Sequence, residues 1–420
     1  MSSRLRCLLS VVILCGISHI AHAQKIAIEA THLYTMGSGP QGQAGTVLIE
    51  NGKITSVQSG AHTPPGYVVL KAAYVTPGLI DAKTTAGISG AYNIPADQDQ
   101  DEESDPNTAD VRVIDSFNPR EMLLQYINTY GVTTIQAAPG IVNPIAGQAG
   151  IFKTVGPNSV GPTADELAVK PVSAMVFNLG ESPKRVYGSK EKPPVTRMMT
   201  AAIIRKALLD AQAYQKKWND WNAGEKKDPS KQPARDLKQE AILRVLNGEL
   251  PAIFNAYRAD DIDTAIRLGQ EFKLKFMLSS VTEGYLEAQV IKQSGAAALV
   301  GPTLQRFASL ETVNASLEDA AILAQAGVPV ALMTGFEAYV PKNRVLLFEA
   351  AVAAANGLGF EGALRACTID SAKIMGIADR VGSLDPGKDA DVALFDGDPF
   401  EYTTHVTAVL VNGKVSFRRP

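Results

Sequence analysis

Histidine is nearly missing from most of this 420-residue chain. Five are present, His19, His22, His32, His62 and His405, so the long stretch between His62 and His405 has none. This excludes a Ser–His arrangement in that stretch, because such a nucleophile needs the imidazole as its base. Cysteine is almost as scarce: Cys7, Cys15 and Cys367. If the first two leave with a leader, Cys367 has no internal partner and stability must come from a core, which a chain this long can build. Within the helical stretch Ala363-Leu-Arg-Ala-Cys-Thr, Cys367 reads as a small packing residue. The net charge is only −3, so no broad basic surface for nucleic acid is implied. No glycine pattern matches a phosphate-binding or dinucleotide loop.

Long apolar runs are also absent, apart from one near the start. Arg4 and Arg6 precede a mainly apolar Leu8–Ile20, and Ala21-His-Ala23 places small residues before Gln24. This pattern predicts a secretory signal over residues 1–23, because the apolar run is shorter than the roughly 20 residues a spanning helix needs. The expected location is therefore periplasmic or secreted, with no membrane span after cleavage.

The chain ends carry matching signals. Gly45–Val57 and Thr407–Phe417 each place β-type residues on both sides of an Asn-Gly pair, Asn51-Gly52 and Asn412-Gly413. Asn-Gly accepts the positive φ angles of a tight hairpin. Neither end can bury a core alone, so the two are expected to pair into one β-domain. The middle alternates apolar runs (Ala252–Ala256, Lys275–Ser279, Ala297–Val300, Val328–Met333) with helical patterns, as a parallel sheet with crossover helices does. Gly131–Gln136 reads as an earlier strand. Between about residues 195 and 247 lies a helical, charge-rich insertion, read as a solvated hairpin on the rim with a lid as the alternative.

Two longer motifs carry a resemblance. Tyr74-Val-Thr-Pro-Gly-Leu-Ile-Asp-Ala82 and Arg380-Val-Gly-Ser-Leu-Asp-Pro-Gly-Lys-Asp-Ala-Asp-Val392 stand at opposite ends of the mature chain. Together they resemble the amidohydrolase superfamily, in particular its exported imidazolonepropionase-like and prolidase-like members. Asp391–Pro399, Val411–Val415, Pro139–Gln148, Pro183–Gly188 and Arg258–Ile262 extend the resemblance. It implies an α/β fold: a TIM (β/α)8 barrel over residues 77–384, and a small β-sandwich built from 24–76 and 385–420. It further implies hydrolysis of non-peptide C–N bonds, dipeptides or cyclic amides, with zinc or another divalent metal activating a water at the carboxyl ends of the strands.

The ligands that the resemblance implies are not in the sequence. Where its first strand would continue with His-x-His stands Lys83-Thr84-Thr85, and the later positions align with Tyr257, Ser280 and Gly335. Lys83 puts a cation where a cation would bind, and Thr85 is a poor zinc ligand. The expectation is therefore a barrel without metal or another cofactor, binding a ligand or protein partner of unknown identity through Lys83, Thr85, Asn143, Gln148, Arg258 and Glu283. A homo-oligomer stays open. Two alternatives remain: an all-carboxylate cation site in the acidic run Asp97, Asp99, Asp101, Glu102, Glu103 and Asp105, and Lys83 as a base or Schiff-base amine. Gly140, Gly147 and Gly150 read as turns near the barrel mouth.

Overall fold

The computed structural model describes residues 25–92, 94–156, 161–224, 229–304, 309–335 and 346–420. The expected leader, residues 1–23, lies outside them. The strands in chain order are β1 (Ile26–Tyr34), β2 (Gln41–Glu50), β3 (Lys53–Ser59), β4 (Val68–Pro77), β5 (Leu79–Thr84), β6 (Val132–Ala137), β7 (Ile145–Lys153), β8 (Ala168–Asn178), β9 (Ala252–Ala256), β10 (Phe276–Ser280), β11 (Ala297–Val300), β12 (Val330–Leu332), β13 (Val392–Phe395), β14 (Val406–Val411) and β15 (Lys414–Arg418). Among the described residues no helix is long and apolar enough to cross a membrane.

The two chain ends form one seven-stranded sheet, in the order β15-β14-β13-β4-β1-β2-β3. Both Asn-Gly pairs turn tight hairpins: φ is +52° and +78° at Asn51 and Gly52, and +49° and +72° at Asn412 and Gly413. Ala390 ties the two tips together, donating to the Gly52 carbonyl and accepting from the Gly413 N–H, each at 2.9 Å. β4 joins the halves, running parallel to β1 and antiparallel to β13. Ile26, Ile28, Leu33, Val47, Val392, Leu394 and Leu410 fill the core of this domain.

The second sheet holds β5 to β12 in chain order. Gly335 closes the ring by pairing with Thr84 and donating its N–H to the Lys83 carbonyl at 3.0 Å. Period-two alternation sorts the side chains. Ala252, Phe254 and Ala256 of β9 face the outer layer, whereas Ile253 joins Val176, Met277, Leu299 and Ala331 inside the barrel. Met375, Ile377 and Val381 pack against this interior. The barrel is thus a filled core rather than a pore, and only its ends are free to host a site.

One strand departs from a uniform βα repeat. β7 runs antiparallel to both β6 and β8, while β5–β6 and the β8 to β12 pairs are parallel. Antiparallel neighbours need no crossover helix, so residues 138–144 suffice to link β6 to β7. Gly147 and Gly150 lie inside this buried strand, not in turns at the mouth. The reversal carries the end of β7, Lys153, to the opposite rim from the other strand ends. Lys153 pairs there with Asp391 at 2.5 Å and Asp389 at 3.3 Å, bonding the barrel to the return segment of the small domain.

In the charge-rich insertion, helices Arg197–Ala223 and Leu237–Leu246 pack on each other. Ile204, Leu208 and Ala211 are buried, and Arg197 joins the first helix to Asp261 and Glu311 of the barrel.

Candidate functional site

Lys83, Thr85, Tyr257, Ser280 and Gly335 come from four separate strand ends, yet they line one cavity at the carboxyl-end rim of the barrel. Thr84, Ala138 to Ile141, Asn255, Pro302 and Met333 complete its wall. The cavity measures about 20 Å³, room for one or two water molecules.

Asn255 organises the floor. Two residues beyond Ile253 on the inward face of β9, its side chain reaches the cavity from below. Its Oδ1 accepts from Ser280 Oγ at 2.7 Å, from Ser279 Oγ at 3.1 Å and from Lys83 Nζ at a long 3.4 Å. Ser279 follows Met277 on the inner face of β10, so an extended Ser280 would point outward. Instead φ is +73° at Ser280 and +40° at Val281. This left-handed kink brings a second hydroxyl onto Asn255 at a cost on the order of 1–3 kcal/mol per residue. Burial raises the pKa of the Tyr257 phenol, opposed by Ser280 and Asn255 beside it.

Lys83 is only 5% exposed, and among the described residues no carboxylate lies within 4 Å of its ammonium. Burial pushes its pKa down to about 8, against the field of Asp101. Asp101 comes in over Gly140, whose missing side chain makes the space: a Cβ there would sit 2.3 Å from the carboxylate. Burial pushes Asp101 up to about 6, opposed by the Val142 N–H and by Lys83. Below the cavity Asp81 is fully buried and pushed up to about 7 by burial, although Thr334 donates to it through Oγ1 at 2.5 Å and through N–H at 3.0 Å. Asp81 thus braces the strand ends against each other and does not line the cavity.

Two polar groups in the wall have no hydrogen-bond partner among the described residues. They are Thr85 Oγ1, on a residue 4% exposed, and Asn255 Nδ2, on a residue 1% exposed. The Asn255 orientation follows from its neighbours, because a lysine ammonium can only donate and must face the amide oxygen. That leaves the amide NH₂ without an acceptor within hydrogen-bond distance among the described residues.

The other expected ligand-binding residues lie elsewhere. Asn143 is buried in structural bonds, donating to Thr108 Oγ1 at 2.9 Å and accepting from the Tyr187 hydroxyl at 2.8 Å. Gln148 donates to the Ala109 carbonyl at 2.9 Å. Glu283 accepts from the Ala259 N–H at 2.8 Å, at the start of helix Ala259–Glu271, and from Asn314 at 2.7 Å. Arg258 precedes the same helix and pairs with Asp260 at 3.3 Å. None of the four lines the cavity. The acidic run is likewise dispersed: Glu103 pairs with Lys190 at 2.6 Å, Asp105 with Lys238 at 2.8 Å, and Asp97 accepts from the Tyr92 N–H. Asn255 was the residue missed, hidden in what reads as an apolar run. The inward phase of Ile253 would have placed it at the rim.

The donor set does not suit a divalent metal. Among the described residues its wall offers an ammonium, an amide and hydroxyls, but no imidazole or carboxylate. Among the described residues no three His, Cys, Asp or Glu side chains converge as a metal site would require.

Comparisons with known proteins agree with the architecture. A crystal structure of an amidohydrolase from Thermotoga maritima superposes with a TM-score of 0.86 at 32% identity, covering 94% of this chain and 100% of that one. Amidohydrolase tasK of Hapsidospora irregularis is 28% identical over 402 residues, 90% of this chain. An imidazolonepropionase of Thermoplasma volcanium is 31% identical over 140 residues, 32% of this chain. The aligned chain spans only 40% and 33% of the lengths of these two relatives. The sequence pattern of the Amidohydrolase family matches residues 163–416, from before β8 through to β15. With that match running from the barrel into the returning sheet, the chain belongs to the amidohydrolase family.

Proposed function

We propose that this protein is an exported, metal-free amidohydrolase homologue whose barrel mouth binds a ligand or a partner rather than a catalytic metal. The observation that carries the reading is the position of Lys83. Its ammonium stands among the strand ends, in the same cavity as Thr85, Tyr257, Ser280 and Gly335. A fixed positive charge with hydroxyl neighbours repels a divalent cation and gives it nothing to replace its hydration shell. No imidazole is available from residue 63 to residue 404. Export rests on the signal pattern of residues 1–23 and places the mature protein in the periplasm or outside the cell.

A second reading is a divergent hydrolase acting on non-peptide C–N bonds, dipeptides or cyclic amides without imidazole ligands. It draws on one feature, the lowered pKa of Lys83, which leaves a fraction of the amine neutral near pH 7 and able to act as base or nucleophile. One experiment separates the two. The protein is purified with zinc or manganese supplied, its metal content is measured, and it is assayed on dipeptides and cyclic amides. The metal-free binding reading expects substoichiometric metal and no turnover. Stoichiometric metal with turnover would overturn it, and metal-free turnover abolished by Lys83→Ala would establish lysine chemistry instead.

A further inference from the structure

We propose that the Lys83 cavity is a receptor for a carboxylate headgroup, holding its two oxygens between the Lys83 ammonium, the Asn255 amide and the Thr85 hydroxyl. The inference deepens the metal-free reading and rests on it. Three observations meet at this point. The first is charge: among the described residues the buried Lys83 ammonium has no carboxylate within 4 Å, and its one hydrogen bond is the long 3.4 Å approach to Asn255 Oδ1. A desolvated ammonium in that state lacks a counter-ion.

The second is the pair of orphaned groups. Asn255 Nδ2 and Thr85 Oγ1 are buried, belong to residues that line the same cavity and lack a hydrogen-bond partner among the described residues. Buried polar groups are nearly always satisfied, so two beside one unpaired cation indicate an absent acceptor. Asn255 Nδ2 can only donate, and a hydroxyl can donate, so an acceptor carrying negative charge satisfies all three at once. The third is size. About 20 Å³ holds one or two waters, which matches the two oxygens of a carboxylate. A tetrahedral phosphate brings four oxygens to three donors and would leave acceptors unsatisfied. Asp101 enters over Gly140, and among the described residues it is the charge whose field acts on Lys83. It is a remote counter-ion that a bound carboxylate would displace in that role.

The probe is sodium acetate, titrated against sodium chloride at constant ionic strength and followed by calorimetry and thermal melting, with sodium phosphate as the four-oxygen control. Acetate should bind once per chain and raise the melting temperature, while phosphate at equal concentration should not. Lys83→Met should abolish binding. Thr85→Val should weaken it by about fivefold, the worth of one hydrogen bond. Because Lys83→Met removes a buried unpaired charge, the variant should melt no lower than the parent without acetate, which certifies its fold. Acetate acting no differently from chloride, or binding equally well to both variants, would overturn the proposal. Metal content of the same preparation separates the two layers. Stoichiometric metal defeats the metal-free reading itself, whereas metal-free protein that ignores acetate defeats only the carboxylate assignment.

Discussion

Two buried lysines at opposite ends of the barrel carry the same charge in contrasting company. Lys153, at the end of the reversed strand β7, contacts Asp391 at 2.5 Å and Asp389 at 3.3 Å, and Asp389 is also held by Lys53 and Arg380. Burial alone would raise the Asp389 pKa, but these three cations together hold it below the ordinary range. Among the described residues the ammonium of Lys83, at the end of β5, has one long hydrogen bond to an amide oxygen, and burial drives its pKa down. Burial is therefore not what distinguishes a structural charge from a functional one. The difference is whether the fold supplies the counter-charge. At Lys153 the network joins two domains and is complete. At Lys83 the described residues hold a cation in place without a counter-charge within 4 Å, which is what the proposed carboxylate would supply.

The largest test of this contrast is Lys153→Met. It leaves two carboxylates, both at most 4% exposed, facing each other without their shared cation. Removing one partner from a buried ion cluster costs about 3–5 kcal/mol. Urea unfolding should show a loss of that order, and the double variant Lys153→Met with Asp391→Asn should recover part of it. A loss below about 1 kcal/mol would mean that the network is not what fastens the domains.

Lys83→Met should move stability the other way, and by an amount that depends on pH. The folded pKa is lowered from 10.5 to about 8. Between those values the unfolded chain binds more protons than the folded one, so the contribution of Lys83 to stability rises with pH across that window. Below about pH 8 the penalty is present in full, on the order of 3 kcal/mol. The variant should accordingly be more stable than the parent at pH 6 in acetate-free buffer, with the gap closing by pH 10.5. A gap that is constant with pH would show that Lys83 is not strained by its burial.

The same contrast explains what could be read from the sequence. Strand ends are fixed by where apolar runs stop, so the motif at Asp81-Ala82 and the runs before Tyr257, Ser280 and Gly335 placed those positions at one rim. The Asn-Gly pairs revealed the hairpins because their backbone chemistry is local. β7 was illegible because all nine residues from Ile145 to Lys153 are buried, so no polar alternation marks it, and its two glycines imitate a turn. Asn143, Gln148 and Glu283 look like mouth residues by motif position. What holds them is set by partners 24 to 44 positions away, a distance no local pattern encodes. Lys153 raised no signal for the same reason, since its partner Asp391 lies 238 residues on.

The smallest effect is also the most specific to the idea of an external partner. Thr85 Oγ1 is buried in the same cavity wall as Lys83 with no hydrogen-bond partner among the described residues. Thr85→Val replaces that hydroxyl by a methyl of nearly the same shape. In the free protein this should be neutral or raise stability by up to about 1 kcal/mol, because an unsatisfied buried hydroxyl is removed rather than a bond broken. With saturating acetate the order should invert, since the parent then gains a hydrogen bond that the valine variant cannot make. Melting temperatures of both proteins, with and without acetate, measure the inversion directly. If Thr85→Val is destabilising in both conditions, the hydroxyl serves the fold, and the cavity loses one of its three reasons to bind an anion.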